Sequence, residues 1–411
     1  MTKIAVLGGS GIATPEFVSA FVEQPDPDRR VEIALIGRTR DKLEKVTALC
    51  RRLAEDSPYL TVSGTTDAEA GLSGADYVIN QVRVGGMRAR AFDETFPIEL
   101  GFPGEETVGP GGFANALRTV PVVLDSARLV ERVAPHALFI NFTNPTSFVQ
   151  YSVSRYTNVA TLGLCDSPVA LVAGVAAAVG VSESELSVDY VGMHHFGWIV
   201  AAYHDGRDVL GRAVENASAI PGLGIDPEVV RALGVVPHFY YRYFVHGDRI
   251  LAKQRGQPPR ALQLAGLQEE ILAAFDGTAE DALAAVSRRG ARWYKLVEVP
   301  VLRSLMARGP GYHIVNVVNG QALPWLPADA VIETPALLQQ GRIRPLPPAR
   351  VPDSVRALVA RNCFYEMAAV EAIVEQSYEK ALKALLLHPM GFTFEQAKGL
   401  LDRVWPDAMP N

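Results

Sequence analysis

Cysteine is scarce: Cys50, Cys165 and Cys363 are the only three in 411 residues, odd in number and far apart. Such a set builds no disulfide framework and fits a reducing compartment. Long apolar runs are lacking too. The most apolar stretch, Val169 to Val181, is rich in alanine and glycine and falls short of the ~20 residues a bilayer crossing needs. It reads as a buried helix, and no membrane association is expected. The opening MTKIAVLGGS lacks the basic flank, apolar core and small-residue cleavage site of an export signal. It reads as a strand, so export is not indicated and a cytoplasmic location is expected. Concentrated positive charge is also missing: the net charge is −6 and basic residues are scattered, which excludes a phosphate-backbone footprint and hence a nucleic-acid partner. The chain shows no internal repeat and no low-complexity tract.

What is present is a large apolar fraction, 48% of the chain, enough to bury an extensive core in two fused lobes. The first third alternates short β-rich runs with helical patterns: strands at Lys3–Leu7, Val31–Ile36, Leu60–Ser63, Asp76–Gln81 and Ala137–Phe142, with helices from about Thr14 and Thr39. This alternation predicts an α/β fold, a doubly wound parallel sheet of Rossmann type, over 1–168. From Val169 the pattern shifts to long helices with a few strands, Ser187–Met193 and Tyr312–Val318 among them, which predicts a mixed α+β lobe over 169–411. Arg342–Arg350, rich in proline and arginine, reads as an exposed connector, and Ser354 to Leu387 as one or two long helices.

In open sheets of this kind ligands bind where loops leave the carboxyl ends of the strands. Three unusual segments fall there: GGSGIATPEF, QVRVGGMR and NFTNPTS. In the first, Gly8, Gly9, Ser10 and Gly11 join a strand to a helix whose first turn holds Thr14, Pro15 and Glu16, a setting in which exposed amides can carry a pyrophosphate. The G-x-G-x-x-G/A spacing is imperfect, because Ser10 stands where a glycine is required, and any tight strand-to-helix turn also uses glycine. At the end of the second strand an NAD site usually offers an acid to the ribose; here the run is Gly37-Arg38-Thr39-Arg40. Arg38 and Arg40 could instead meet the 2′-phosphate of NADP, or simply decorate a solvated helix. Asn141 and Asn144 follow a strand, where their amides can hold ribose or sugar hydroxyls, although Asn144-Pro145 also suits a plain turn.

The run GGMRAR at 85–90, then GEETVGPGGFANALRTVPV, NFTNPTS, GLCDSP and GMHHFGW, with NVVNGQALPWLP and KALKALLLHPMG later, occur in the order seen in family-4 glycoside hydrolases. The chain resembles that family along nearly its whole length. The resemblance implies a lactate/malate dehydrogenase-like fold, NAD and a divalent metal, with manganese as the family's precedent. It implies a homodimer or homotetramer and an unusual hydrolysis. In that chemistry the cofactor takes hydride from C3 of the sugar, a base removes the acidified C2 proton, the glycosidic bond is eliminated, water adds and the hydride returns.

The same resemblance assigns roles. Cys165 and His195 match the metal ligands, which serve Lewis-acid work on the sugar oxygens; by themselves a buried thiol and a distant histidine carry no metal signature. Asp166 matches an acid found in members acting on α-linked phosphosugars, and it also suits a helix cap before Pro168. The base at C2 matches Tyr240 by its Y-x-R-Y context, with Tyr241 and Tyr243 left open and core packing the alternative for all three. Arg83 and Glu106 match positions lining the sugar. Arg289, with Arg292 as an additional cation, resembles the site for a C6 anion, whether phosphate or the sulfonate of a sulfoquinovoside. His194 stands where the family usually has asparagine, which marks a changed sugar-contacting surface. A plain hydroxy-acid dehydrogenase and a non-catalytic nicotinamide-binding sensor are the competing readings.

Overall fold

The computed structural model describes residues 1–26, 28–290 and 293–405. Six strands pair in parallel: β1 (Thr2–Leu7), β2 (Val31–Ile36), β3 (Leu60–Thr65), β4 (Tyr77–Asn80), β5 (Leu138–Asn141) and β6 (Thr161–Gly163). Their spatial order, β3-β2-β1-β4-β5-β6, is the doubly wound Rossmann order. The sequence accounts for this: TKIAVL and VEIALI are near-continuous apolar runs, as strands buried on both faces require. Helices Thr14–Glu23 and Arg40–Ala54 cover one face, and the long helix Gly109–Val133 helps cover the other.

The sheet does not stop at β6. Seven more strands continue it: β7 (Leu186–Met193), β8 (Phe196–His204), β9 (Arg207–Asp208), β10 (Val236–Pro237), β11 (Gly311–Val318), β12 (Val331–Gln339) and β13 (Arg342–Pro345). The path runs β10-β8-β7-β12-β11-β6, joined by the antiparallel pairs Asn316↔Gly163 and Glu333↔Gly192. One sheet therefore passes through both halves, and the expected boundary at 168/169 falls inside the helix Ser167–Val179. Arg342–Pro345 is a correction to the expected connector: it is a strand on the edge of β12, where proline is tolerated because an edge N–H is not needed. Ser354 to Leu387 forms two helices, Asp353–Val374 and Tyr378–Leu387, which pack with Phe394–Val404 against Gly109–Val133 through Phe113, Tyr365, Leu385 and Leu400. Among the described residues no helix is long and apolar enough to cross a membrane.

Register decides where function sits. Leu7 pairs with Ile36 and Asn80, Asn80 with Asn141, and Asn141 with Gly163. The carboxyl ends of five strands thus line one edge. From it emerge the glycine turn, residues 37–39, residues 81–85, the NFTNP loop and Cys165. The two-residue tip of the β7–β8 hairpin, His194-His195, reaches the same neighbourhood, because only β11 and β12 lie between β6 and β7.

Candidate active site

The glycine turn is shaped by close approach. Gly8 has φ +83°, and a Cβ on Gly9 would stand 2.8 Å from the Leu35 Cα and the Ile36 amide, so the turn lies flush on β2 only because those side chains are absent. The C-terminal half closes on this turn. Tyr294 donates to Gln81 Oε1 at 2.7 Å, and Gln81 Nε2 donates to Thr14 Oγ1 at 3.0 Å and to the Gly8 carbonyl at 3.3 Å. Arg38 is exposed just past β2. Asn141 is fully buried, and its amide is engaged within the protein: Oδ1 accepts from Asn80 at 2.8 Å and from the Thr143 amide at 3.2 Å, while Nδ2 donates to the Thr143 carbonyl at 3.0 Å. Its direct effect is therefore on the shape of the NFTNP loop. Asn144 is half-buried in that loop, its Oδ1 accepting from Thr146 at 3.3 Å.

Cys165, His194 and His195 are all buried, and one donor atom from each lies within 4.8 Å of the other two. This set joins the two residues expected together with one expected elsewhere, His194, whose Nε2 is buried with no hydrogen-bond partner among the described residues. His195 adopts φ +62°, a left-handed conformation that histidine visits more readily than most side chains and that concentrates at functional sites. Its Nδ1 lies 2.9 Å from Thr107 Oγ1. The Thr107 hydroxyl has a single hydrogen and directs it to Glu105 Oε2 at 2.5 Å, so it accepts from Nδ1–H. The tautomer that results leaves the Nε2 lone pair of His195 free, as a metal ligand requires.

A second support comes from His238. Its Nε2 lies 2.9 Å from Ser167 Oγ, which in turn lies 2.8 Å from the Cys165 sulfur. Ser167, Thr107 and Glu105 lie within the quoted motifs and His238 just before the Y-x-R-Y run, but none had a role in the sequence reading, because their contacts join segments as far apart as Ser167 and His238. The three tyrosines separate cleanly. Tyr240 stacks on His195 with centroids 3.6 Å apart and planes 9° apart, whereas Tyr241 packs on Trp198 and Phe196 in the core, and Tyr243 lies behind Tyr240 at 5.9 Å.

Burial sets the proton affinities. It depresses the imidazoles of His194 and His238 to about 3 and that of His195 well below the usual range. Burial raises the Cys165 thiol well above its ordinary value, with Glu333 and Asp166 adding to it, and it raises the Tyr240 phenol likewise, with Glu105 adding. Two neutral imidazoles and a thiol gathered at one point suit a divalent ion. Asp166 occupies the N-cap of Ser167–Val179 but makes no capping hydrogen bond, so its carboxyl is not used as a cap. The residue is exposed, yet desolvation of its carboxyl raises the pKa, with a backbone hydrogen bond and Arg289 opposing.

Around the rim, Arg83 pairs with Glu106 at 2.5 Å and Arg90 reaches the same carboxylate at 3.0 Å. Burial pulls the Glu106 carboxyl upward, but Arg83 and Arg90 outweigh it and hold it below its usual range. Arg289 makes no ion pair among the described residues and lies over the Trp293 ring at 5.4 Å. Burial, with Arg90, Arg83 and Arg260 close by, lowers it to about 10, a cluster of cations with too few acids to neutralise it. Arg292 lies outside the described residues.

Comparison with known proteins agrees with this architecture. Residues 3–181 match the profile described as family 4 glycosyl hydrolase, and residues 190–391 match that of the family 4 glycosyl hydrolase C-terminal domain. The chain is 30% identical to a probable 6-phospho-beta-glucosidase of Bacillus subtilis, over 98% of this chain and 95% of that protein. The structure of the 6-phospho-beta-glucosidase of Thermotoga maritima with manganese, NAD+ and glucose-6-phosphate superposes with a TM-score of 0.90 at 28% identity, covering 98% of this chain and 97% of that one. Lactate dehydrogenase of Eimeria maxima shares the fold, with a TM-score of 0.54 at 16% identity over 93% of this chain and 95% of its own.

Proposed function

The chain belongs to the family 4 glycosyl hydrolases, and on that premise we propose that it hydrolyses glycosides carrying an anion at C6, a 6-phosphosugar first, with a bound nicotinamide dinucleotide and a divalent cation such as Mn2+. The observation that carries this reading is the meeting, at one sheet edge, of a glycine turn and a buried Cys165–His194–His195 donor set with Tyr240 against it. Cys165 and His195 hold the cation and His194, with its free Nε2, is the third donor, a role different from the sugar contact expected of it. Three protein ligands leave open positions for two sugar oxygens.

When bound, the dinucleotide accepts and returns hydride at C3, and the cation polarises the adjacent oxygens and lowers the proton affinity of nearby acids. The chain's own groups do the rest. Tyr240, stacked flat against His195, removes the C2 proton. Asp166, with its raised pKa, carries a proton to the departing glycosidic oxygen. Arg83 and Glu106 fix the sugar hydroxyls, and Arg289, with Arg292, receives the C6 anion. Gly8, Gly9, Ser10 and Gly11 carry the pyrophosphate, Asn144 faces the sugar, and Asn141 holds its loop. Residues 1–168 supply the dinucleotide site, while 169–411 add His194, His195, Tyr240 and Arg289. Buried thiols at Cys50, Cys165 and Cys363 support a cytoplasmic setting, and exposed Phe364, Leu386 and Phe394 support a homodimer or homotetramer, to be read from mass in solution.

The test is release of nitrophenol from the two anomers of nitrophenyl 6-phosphoglucoside by protein supplied with dinucleotide and Mn2+, with the 6-sulfonate analogue alongside. One anomer is cleaved, no reduced cofactor accumulates, and chelation or Cys165→Ser abolishes release. Release that persists in the metal-free protein overturns the reading.

A further inference from the structure

The residues that follow β2 carry an unused set of anion donors. Ile36, its last residue, pairs with Leu7 and with Thr65, so residues 37–40 leave the sheet beside the glycine turn. In sheets of this order that is where the adenosine ribose is met, an acidic side chain receiving the 2′-hydroxyl of NAD and an arginine accommodating the 2′-phosphate of NADP. Here the position directly after the strand is Gly37. A Cβ on it would stand 3.0 Å from Ser10 Cβ and Oγ and 3.2 Å from Leu43 Cδ1, so the backbone is drawn against the turn and no carboxylate projects from it.

What projects instead is positive. Arg38 is exposed and makes no hydrogen bond or ion pair among the described residues. Thr39 is the N-cap of the helix Arg40–Ala54, yet its side chain makes no capping bond. Arg40 is 72% exposed, and its one ion-pair partner among the described residues, Glu44, lies at 3.7 Å. Two exposed arginines and the uncapped hydroxyl of Thr39 therefore follow the strand directly, beside the turn that carries Ser10. A guanidinium fork matches two phosphate oxygens at once, and a free ribose hydroxyl offers it nothing comparable.

We propose that Arg38, with Arg40, Thr39 and Ser10, forms a site for a 2′-phosphate, so that this chain takes NADP+ in preference to NAD+. The inference rests on the reading of residues 8–11 as the dinucleotide turn, and one set of titrations separates the two. Calorimetry on the full chain measures NADP+, NAD+, 2′,5′-ADP and 5′-AMP.

NADP+ binds at least about tenfold tighter than NAD+, the gain of a single charge-assisted contact, and 2′,5′-ADP outcompetes 5′-AMP. Raising the ionic strength to about 0.3 M weakens NADP+ more than NAD+, since the added term is between exposed charges. Arg38→Asp, at an exposed position that leaves packing untouched, weakens NADP+ by about tenfold or more and keeps NAD+ within a few-fold. Equal or tighter binding of NAD+ by the unaltered chain, or an Arg38→Asp variant with unchanged preference, overturns the inference while leaving the turn as the dinucleotide site. Binding of neither dinucleotide to protein that melts cooperatively overturns both.

Discussion

Replacing Thr107 by valine keeps the shape of the side chain and removes the oxygen that joins Glu105 to His195. Thr107 Oγ1 donates to Glu105 at 2.5 Å and accepts from His195 Nδ1 at 2.9 Å, and no other partner of Nδ1 is present among the described residues. In the valine variant the imidazole has no acceptor to hold it in the tautomer with a free Nε2. Loss of an outer partner of this kind costs about 10–100-fold in metal affinity, which is about 1.4–2.7 kcal/mol. Glu105 keeps its hold on the loop through the amides of Thr107 and Val108, at 2.5 and 2.8 Å, so the backbone stays in place. The assay is titration of Mn2+ with free ion counted by electron paramagnetic resonance, on protein whose melting is recorded in parallel. Thr107→Val weakens Mn2+ by that factor and Thr107→Ser restores it. A valine variant that melts cooperatively and binds Mn2+ within twofold of the unaltered chain refutes the reasoning that this hydroxyl orients His195.

Asp166→Asn slows cleavage of substrates with poor leaving groups by about 10²–10⁴-fold, the range for a general acid, and slows nitrophenyl glycosides far less; equal losses on both would show that Asp166 donates no proton. Arg289→Met lowers kcat/KM on the 6-phosphosugar by about 10–100-fold, as loss of a charged hydrogen bond does, and leaves the unphosphorylated glucoside unaffected; equal loss on both would remove Arg289 from the anion site. Glu298 is buried with no partner for either oxygen among the described residues, and burial raises its pKa to about 8. Because the folded value lies above the unfolded one near 4.5, the native state keeps a proton the unfolded chain gives up, and stability falls as pH climbs from about 4.5 to about 8. Glu298→Gln removes that slope and gains up to about 3 kcal/mol near neutral pH, in denaturant unfolding at pH 5 and pH 8; an equal gain at both would contradict it.

The first five parallel strands were legible because runs such as TKIAVL, VEIALI and YVIN are apolar and bounded by turn residues, and their ends place the ligand edge; the three-residue β6 was too short to read. β13 was not, since Arg342–Pro345 carries the composition of a loop and owes its extended form to the exposed edge of β12. The boundary at 168/169 followed a change of pattern along the chain, whereas the sheet crosses it through single bridges that pattern does not record. Cys165 and His195 were brought together as the motifs implied. His194 was read from its neighbourhood in sequence as a sugar contact, and only the hairpin tip shows it turned to the same point. The Y-x-R-Y context matched Tyr240 and left Tyr241 and Tyr243 open; of the three it is Tyr240 that stacks on His195, a relation between segments forty-five residues apart. Asn141 looked available because it ends a strand, and the neighbouring strand's Asn80 is what occupies it.

A hydride acceptor and a cation-held sugar meeting at one edge would make the C2 proton removable. Hydrolysis run to completion in deuterated water, with the released sugar examined by proton magnetic resonance, reads this directly. Deuterium is expected in place of the C2 hydrogen of the product, dependent on both dinucleotide and Mn2+. A product that keeps its original C2 hydrogen through full turnover would contradict it.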